Sequence, residues 1–143
     1  MNAIIWEWVP NKSLGPISIG ADISIYIKDF NATIDKNMAD DLTGWDSYDL
    51  LDFKVRIDVE NNKVMSITSY KEFLFKKRNA FDMSVSQFFK LLENSPNEIG
   101  DNVEFDDGDI KTPYEFFEIG LQVWASNSVI TSITCMTYQD VTD

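Results

Sequence analysis

Tyr48–Thr68 reads YDLLDFKVRIDVENNKVMSIT and Tyr114–Thr134 reads YEFFEIGLQVWASNSVITSIT, a constant offset of 66 residues with no gap. Tyr48/Tyr114, Asn61/Asn127, Ser66/Ser132, Ile67/Ile133 and Thr68/Thr134 are identical, and acid stands for acid at Asp49/Glu115 and Asp52/Glu118. In the first stretch Phe53, Val55, Ile57 and Val59 alternate with Lys54, Arg56 and Asp58; in the second Ile119, Leu121, Val123 and Ala125 take the apolar places. A period of two over this length predicts a strand with one buried face. Glu60-Asn61-Asn62-Lys63 and Ser126-Asn127-Ser128 follow, and asparagine tolerates the left-handed backbone of a tight hairpin. Apolar runs return over Val64–Tyr70 and Val129–Tyr138. Each stretch predicts a β-hairpin.

A helical pattern precedes each hairpin. Ile23, Tyr26, Ile27 and Phe30 share one spacing with Val85, Phe88, Phe89 and Leu92, and Asp22 and Ser84 stand where N-caps belong. Ahead of each helix lies one more strand candidate, Ile4–Val9 and Tyr70–Lys76. The expected fold class is α+β: two tandem β-α-β-β repeats, about 3–69 and 70–138, forming a mainly antiparallel sheet with two helices packed against it. Residues 139–143 are left as a frayed tail. Units of this size are marginal alone, so the chain of 143 residues is expected to share one core as a single domain.

With 24 acidic against 12 basic residues the net charge is -12, which disfavours nucleic acid and anionic membrane surfaces as partners. It favours rapid encounter with a basic protein. One cysteine, Cys135, permits no internal disulfide and suits a reducing compartment. The opening MNAIIWEWVPNKS does not fit a signal peptide, and no apolar run is long enough to span a membrane. A soluble cytoplasmic protein is expected.

Several chemistries lack their residues. Without histidine there is no imidazole base, and zinc would need cysteines or histidines the chain does not have. Cys135 falls in a strand, where an inert buried thiol is expected. Gly15-Pro16-Ile17-Ser18-Ile19-Gly20 has no lysine to meet phosphate. Over EFDDGDIKTPYE, setting Gly108 at the sharp turn of a calcium loop puts Val103 and Phe105 at ligand positions and Tyr114 where the closing glutamate belongs. No catalytic residue, cofactor or metal is assigned, and the expectation is binding rather than catalysis.

The acidic residues are concentrated. Asp35, Asp40, Asp41, Asp46, Asp49 and Asp52 lie between helix and hairpin in the first unit, and Glu93, Glu98, Asp101, Glu104, Asp106, Asp107, Asp109, Glu115 and Glu118 in the second. Trp45, Tyr48, Phe105 and Tyr114 are interleaved with them. Charge steers an encounter and aromatics anchor it. The candidate partner-binding residues are therefore Asp40, Asp41, Trp45, Asp46, Tyr48, Asp49, Glu104, Phe105, Asp106, Asp107, Asp109 and Tyr114. Lys76-Lys77-Arg78 reads as a solvated turn. Trp124 falls on the solvent face of its strand, where it is either covered by a neighbouring element or exposed for binding.

Ser13-Leu14-Gly15-Pro16-Ile17-Ser18-Ile19-Gly20, followed by a short amphipathic helix, resembles an opening found among small bacterial immunity proteins of contact-dependent growth inhibition and other polymorphic toxin systems. The second unit lacks this opening and has Arg78–Met83 in its place. The tandem plan is similar to that of β-lactamase inhibitory proteins, in which two repeats jointly present an acidic and aromatic surface to an enzyme. Both resemblances imply a protein that binds and neutralises a cognate toxin, here a basic nuclease-type domain; neither carries a single inhibitory residue onto this sequence. Two other readings stand beside it: a small-molecule-binding or carboxylate-based enzymatic domain with a cleft between the repeats, and a nucleic-acid mimic. The mixed Lys54/Arg56 face weighs against the mimic.

Overall fold

A computed structural model describes residues 4–34 and 45–137. The N-terminal segment folds into a small antiparallel sheet of β1 (Trp8–Val9), β2 (Ser13–Leu14) and β3 (Ile17–Ser18). After it come helix α1 (Ser24–Asp29), β4 (Thr33–Ile34), β5 (Trp45–Leu50), β6 (Val55–Glu60) and β7 (Lys63–Ser69). A two-stranded ribbon, β8 (Leu74–Phe75) and β9 (Arg78–Asn79), leads through a 3₁₀ turn at Ala80–Asp82 to α2 (Val85–Leu92). There follow β10 (Glu98–Ile99), β11 (Val103–Glu104), β12 (Ile110–Phe116), β13 (Leu121–Ser126) and β14 (Val129–Met136).

Among the described residues, nine strands form one antiparallel sheet in the order β10-β12-β13-β14-β7-β6-β5-β4, with β11 also pairing β12. Val55, Ile57 and Val59 of β6 and Leu121, Val123 and Ala125 of β13 are buried. The alternate side chains of both strands are half-exposed. The expected hairpins are therefore present, and their turns explain why. Asn61 and Asn62 take φ of 52° and 67°, Asn127 and Ser128 φ of 51° and 68°. Two successive left-handed residues match the twist of the flanking strands, and asparagine is among the side chains that adopt that conformation at least cost. Both hairpins slip register at equivalent points, between Asp58 and Val59 and between Trp124 and Ala125.

The hairpins meet at the centre of the sheet, where β7 pairs β14: Ile67 with Cys135, Thr68 with Thr134, Ser69 with Ile133. At the middle of this seam the Thr68 and Thr134 hydroxyls share a 2.8 Å hydrogen bond. Each helix starts against the turn of its own hairpin: Ile23 N donates to Asn62 O at 2.8 Å and Val85 N to Ser128 O at 3.1 Å. Ser84 caps α2 in a reciprocal box with Gln87. Before α1, Asp22 accepts from Ser24 N at 2.9 Å, although the helix itself begins only after Ile23. That bond holds the Asp22 carboxyl below its ordinary range.

One core cluster draws on both hairpins, both helices and the N-terminal segment, including Trp6, Leu14, Tyr26, Ile57, Phe73, Phe88, Phe116 and Ile133. Both helices pack on the same face as Ile57 and Val123. Phe89 of α2 lies 5.0 Å from Phe116, and Phe30 lies 6.1 Å from Phe53.

Two expectations need correction. The strand candidates ahead of the helices are extended but stay out of the large sheet. Ile4–Val9 and Tyr70–Lys76 touch each other instead, through a parallel bridge from Glu7 to Leu74. Each hairpin gains a different third strand, β5 or β12, drawn from stretches the sequence reading left as acidic connections. Pro113 sits inside β12 where β11 gives way to β10 as its neighbour. A proline has no N–H for the ladder, so this handover is where it fits. Gly100 leaves the room it needs, since a Cβ there would stand 2.7 Å from Pro113 Cγ. The expected tail at 139–143 lies outside the described residues.

Candidate interaction surface

Helices cover one face of the sheet. Among the described residues, no layer of secondary structure covers the other, where a row of polar side chains crosses the strands. Period-two alternation and register put Ser47 and Asp49 of β5 beside Asp58 and Arg56 of β6, then Ser66 and Thr68 of β7. Beyond the seam come Thr134 and Ser132 of β14 beside Gln122 and Trp124 of β13, then Glu115 of β12.

These groups hold one another in place. Arg56 donates through Nε and Nη2 to the two oxygens of Asp49 at 3.0 and 3.2 Å, a bidentate fork. Asp58 accepts from Ser47 Oγ at 2.6 Å and from Ser66 Oγ at 3.1 Å, one hydroxyl on each oxygen. Across the seam Gln122 donates to Glu115, and its own oxygen accepts from Trp124 Nε1 at 2.9 Å, fixing the indole. Phe105 folds over from the β11–β12 hairpin onto Trp124, ring centroids 5.7 Å apart and nearly perpendicular. Lys111 Nζ lies 4.2 Å from the Phe105 centroid.

Together they enclose a hollow of about 360 Å³, with Arg56, Asp58 and Tyr70 on one wall and Phe105, Lys111 and Trp124 on the other. Thr68, Ser132 and Thr134 line it between them. Burial pushes the Tyr70 phenol above its ordinary value; Arg56 pulls it back, and Asp58 and Asp49 add to the rise. Three aromatic rings, two cations and a carboxylate thus converge over the middle of an uncovered sheet.

The sequence candidates are distributed differently from the expectation. Asp40 and Asp41 lie outside the described residues. Trp45 opens β5. Asp46 and Tyr48 stand opposite Val59 and Ile57, on the side facing the core, and Tyr114 stands opposite Val123. Tyr48 and Tyr114 both pack on the core, Tyr114 against Phe89 at 5.2 Å. Burial, then Asp46, raises the Tyr48 phenol. Of the candidates whose side chains are described, Asp49 and Phe105 reach the uncovered face. Glu104, Asp106, Asp107 and Asp109 lie on the β11–β12 hairpin, within an unbroken exposed run over 101–110. The two acidic flanks do not merge: β5 and β12 are separated by four strands, about 24 Å along the sheet.

Arg56, Asp58, Tyr70, Lys111 and Trp124 were not among the sequence candidates. The available signal was Trp124, a tryptophan at the position Asp58 holds in the first hairpin. The thiol of Cys135 is fully buried, pushed up to about 12 by burial, and donates to Ile67 O. Among the described residues no three acidic or cysteine side chains gather as a metal site. No helix described is long and apolar enough to cross a membrane. No protein-family model, no curated protein and no solved structure matches the chain.

Proposed function

We propose that this chain is an immunity-type inhibitor, an acidic cytoplasmic protein that binds a cognate basic toxin, of the nuclease type, and neutralises it by contact alone. The observation that carries this reading is the uncovered sheet face with Trp124, Phe105 and Tyr70 set among ordered charges. Aromatics at the centre of a patch anchor a protein interface, while charges set its rate and register. The net charge of -12 and the exposed acids of the β11–β12 hairpin supply long-range attraction to a basic surface. Trp124 is held by Gln122 and Phe105 before any partner arrives, so little ordering is left for binding to accomplish.

We further propose that the scaffold arose by doubling of one module. The paired turns, the equivalent register slips and the Thr68–Thr134 seam, whose members are 66 residues apart, support this. Doubling explains how one position became Asp58 in one half and Trp124 in the other, giving the hollow one charged and one aromatic wall.

The hollow's volume lies within the range of small-ligand pockets, which favours a small-molecule reading as the second choice. Asp49 and Asp58, however, are both engaged by neighbours rather than facing each other as an acid–base pair. A continuous core also joins the halves where the small-molecule reading placed a cleft. The test is to search the neighbouring genes for a basic nuclease-type toxin domain and to follow its association with this protein by stopped flow. Binding that protects substrate nucleic acid from cleavage, with an on-rate falling at least tenfold between about 50 and 500 mM salt, supports the proposal. A toxin that stays active with the protein in excess would sink it.

A further inference from the structure

Asp58 differs from its neighbours on the open face. Asp49 is matched by Arg56, and Glu115 by Gln122, whereas Asp58 makes no ion pair among the described residues. Among the described residues its hydrogen-bond donors are the Ser47 and Ser66 hydroxyls, one to each oxygen. The arrangement satisfies half of the carboxylate's accepting capacity and fixes its plane, leaving one lone pair on each oxygen.

We propose that Asp58 is the receptor for an arginine side chain presented by the partner protein. A carboxylate held in place with accepting capacity left on each oxygen suits the two parallel N–H bonds of a guanidinium, whereas an ammonium engages only as a point charge. Tyr70 borders the same wall and offers a ring for the guanidinium plane. The nearby cations do not occupy the position. Arg56 is held in its fork with Asp49, and Lys111 rests over Phe105 on a strand four steps away, about 19 Å across the sheet. The inference deepens the partner-binding reading of this face by naming the chemistry of the group that enters it.

The test is an amide chemical-shift titration of the protein with N-acetyl-arginine amide, its lysine counterpart and its uncharged citrulline counterpart. The arginine compound is expected to shift Ser47, Asp58, Ser66 and Tyr70 at millimolar concentration, the lysine compound more weakly, and citrulline not at all. Asp58→Asn should weaken arginine binding about tenfold, and Ser66→Ala about threefold through loss of one orienting hydroxyl. Equal response to citrulline, shifts confined to residues 101–110, or unchanged binding in Asp58→Asn would overturn the assignment. Should Asp58→Asn fail to fold, unchanged binding in Ser66→Ala overturns it equally. Because the probe is a single amino-acid derivative, this result is independent of the toxin experiment: either can fail while the other stands.

Discussion

Gly120→Ala is expected to be among the most damaging single-methyl changes in the molecule. Gly120 sits at φ +65° between β12 and β13, and a Cβ there would stand 1.8 Å from Met136 O and 2.6 Å from Asn11 Oδ1. The carbonyl cannot simply retreat, because Met136 N donates to Gly120 O at 2.9 Å and ties the same two residues together. A left-handed alanine costs roughly 1–2 kcal/mol. Forcing the backbone apart costs about 1–3 kcal/mol more, by analogy with overpacked sites. Unfolding entropy near 2.1 cal/mol/K per residue gives about 300 cal/mol/K for a chain of 143 residues. A loss of about 2–5 kcal/mol then lowers Tm by roughly 7–17 °C. Thermal melts followed by circular dichroism, repeated in urea, measure it directly. Melting within about 2 °C of the unmodified protein would show that the turn relaxes freely and that the clash has no weight. Lys54, the equivalent residue of the first hairpin, has φ +56° and receives the corresponding bond from Tyr70 N. Lys54→Gly should therefore leave stability within about 1 kcal/mol of the parent, on the stable side.

Trp124→Ala should weaken partner binding by 2 kcal/mol or more, roughly thirtyfold in Kd, with most of the change in dissociation rate, as surface plasmon resonance would resolve. Ser84→Ala removes the side-chain half of the α2 capping box and should cost about 1 kcal/mol in urea unfolding. For Cys135 the folded thiol titrates at about 12, above its unfolded value of 9.0. Its contribution to stability is thus complete below pH 9 and declines as pH rises towards 12. Chemical denaturation from pH 8 to 11 should show a decline that is reduced in Cys135→Ala, and the native thiol should resist alkylation at pH 8 until the protein unfolds.

How much of this was legible follows the range of the interactions. The two hairpins and α2 announce themselves locally, through alternation around Ile57 and Val123, paired asparagines in the turns, and Ser84 three residues before Gln87. β5 and β12 do not. WDSYDL carries two aspartates and IKTPYEF a proline, residues depleted in strands, and only pairing with β6 and β13 makes strands of them. Acidic surroundings in sequence mark Tyr48 and Tyr114 as surface anchors. Alternation turns them inward, while the acids beside them turn out. The hollow was the least accessible feature, because Asp58, Tyr70 and Trp124 come from three separate strands or strand ends and meet only through the β7–β14 register.

That seam also imposes an order of events on folding. Within each hairpin the paired residues are neighbours along the chain, so closure is local and fast. Joining Thr68 to Thr134 closes a loop of 66 residues at an entropic cost of about 4 kcal/mol before its ladder offers any return. The halves therefore form early and dock late. Until docking, the hollow that Asp58 and Trp124 line from opposite halves does not yet exist.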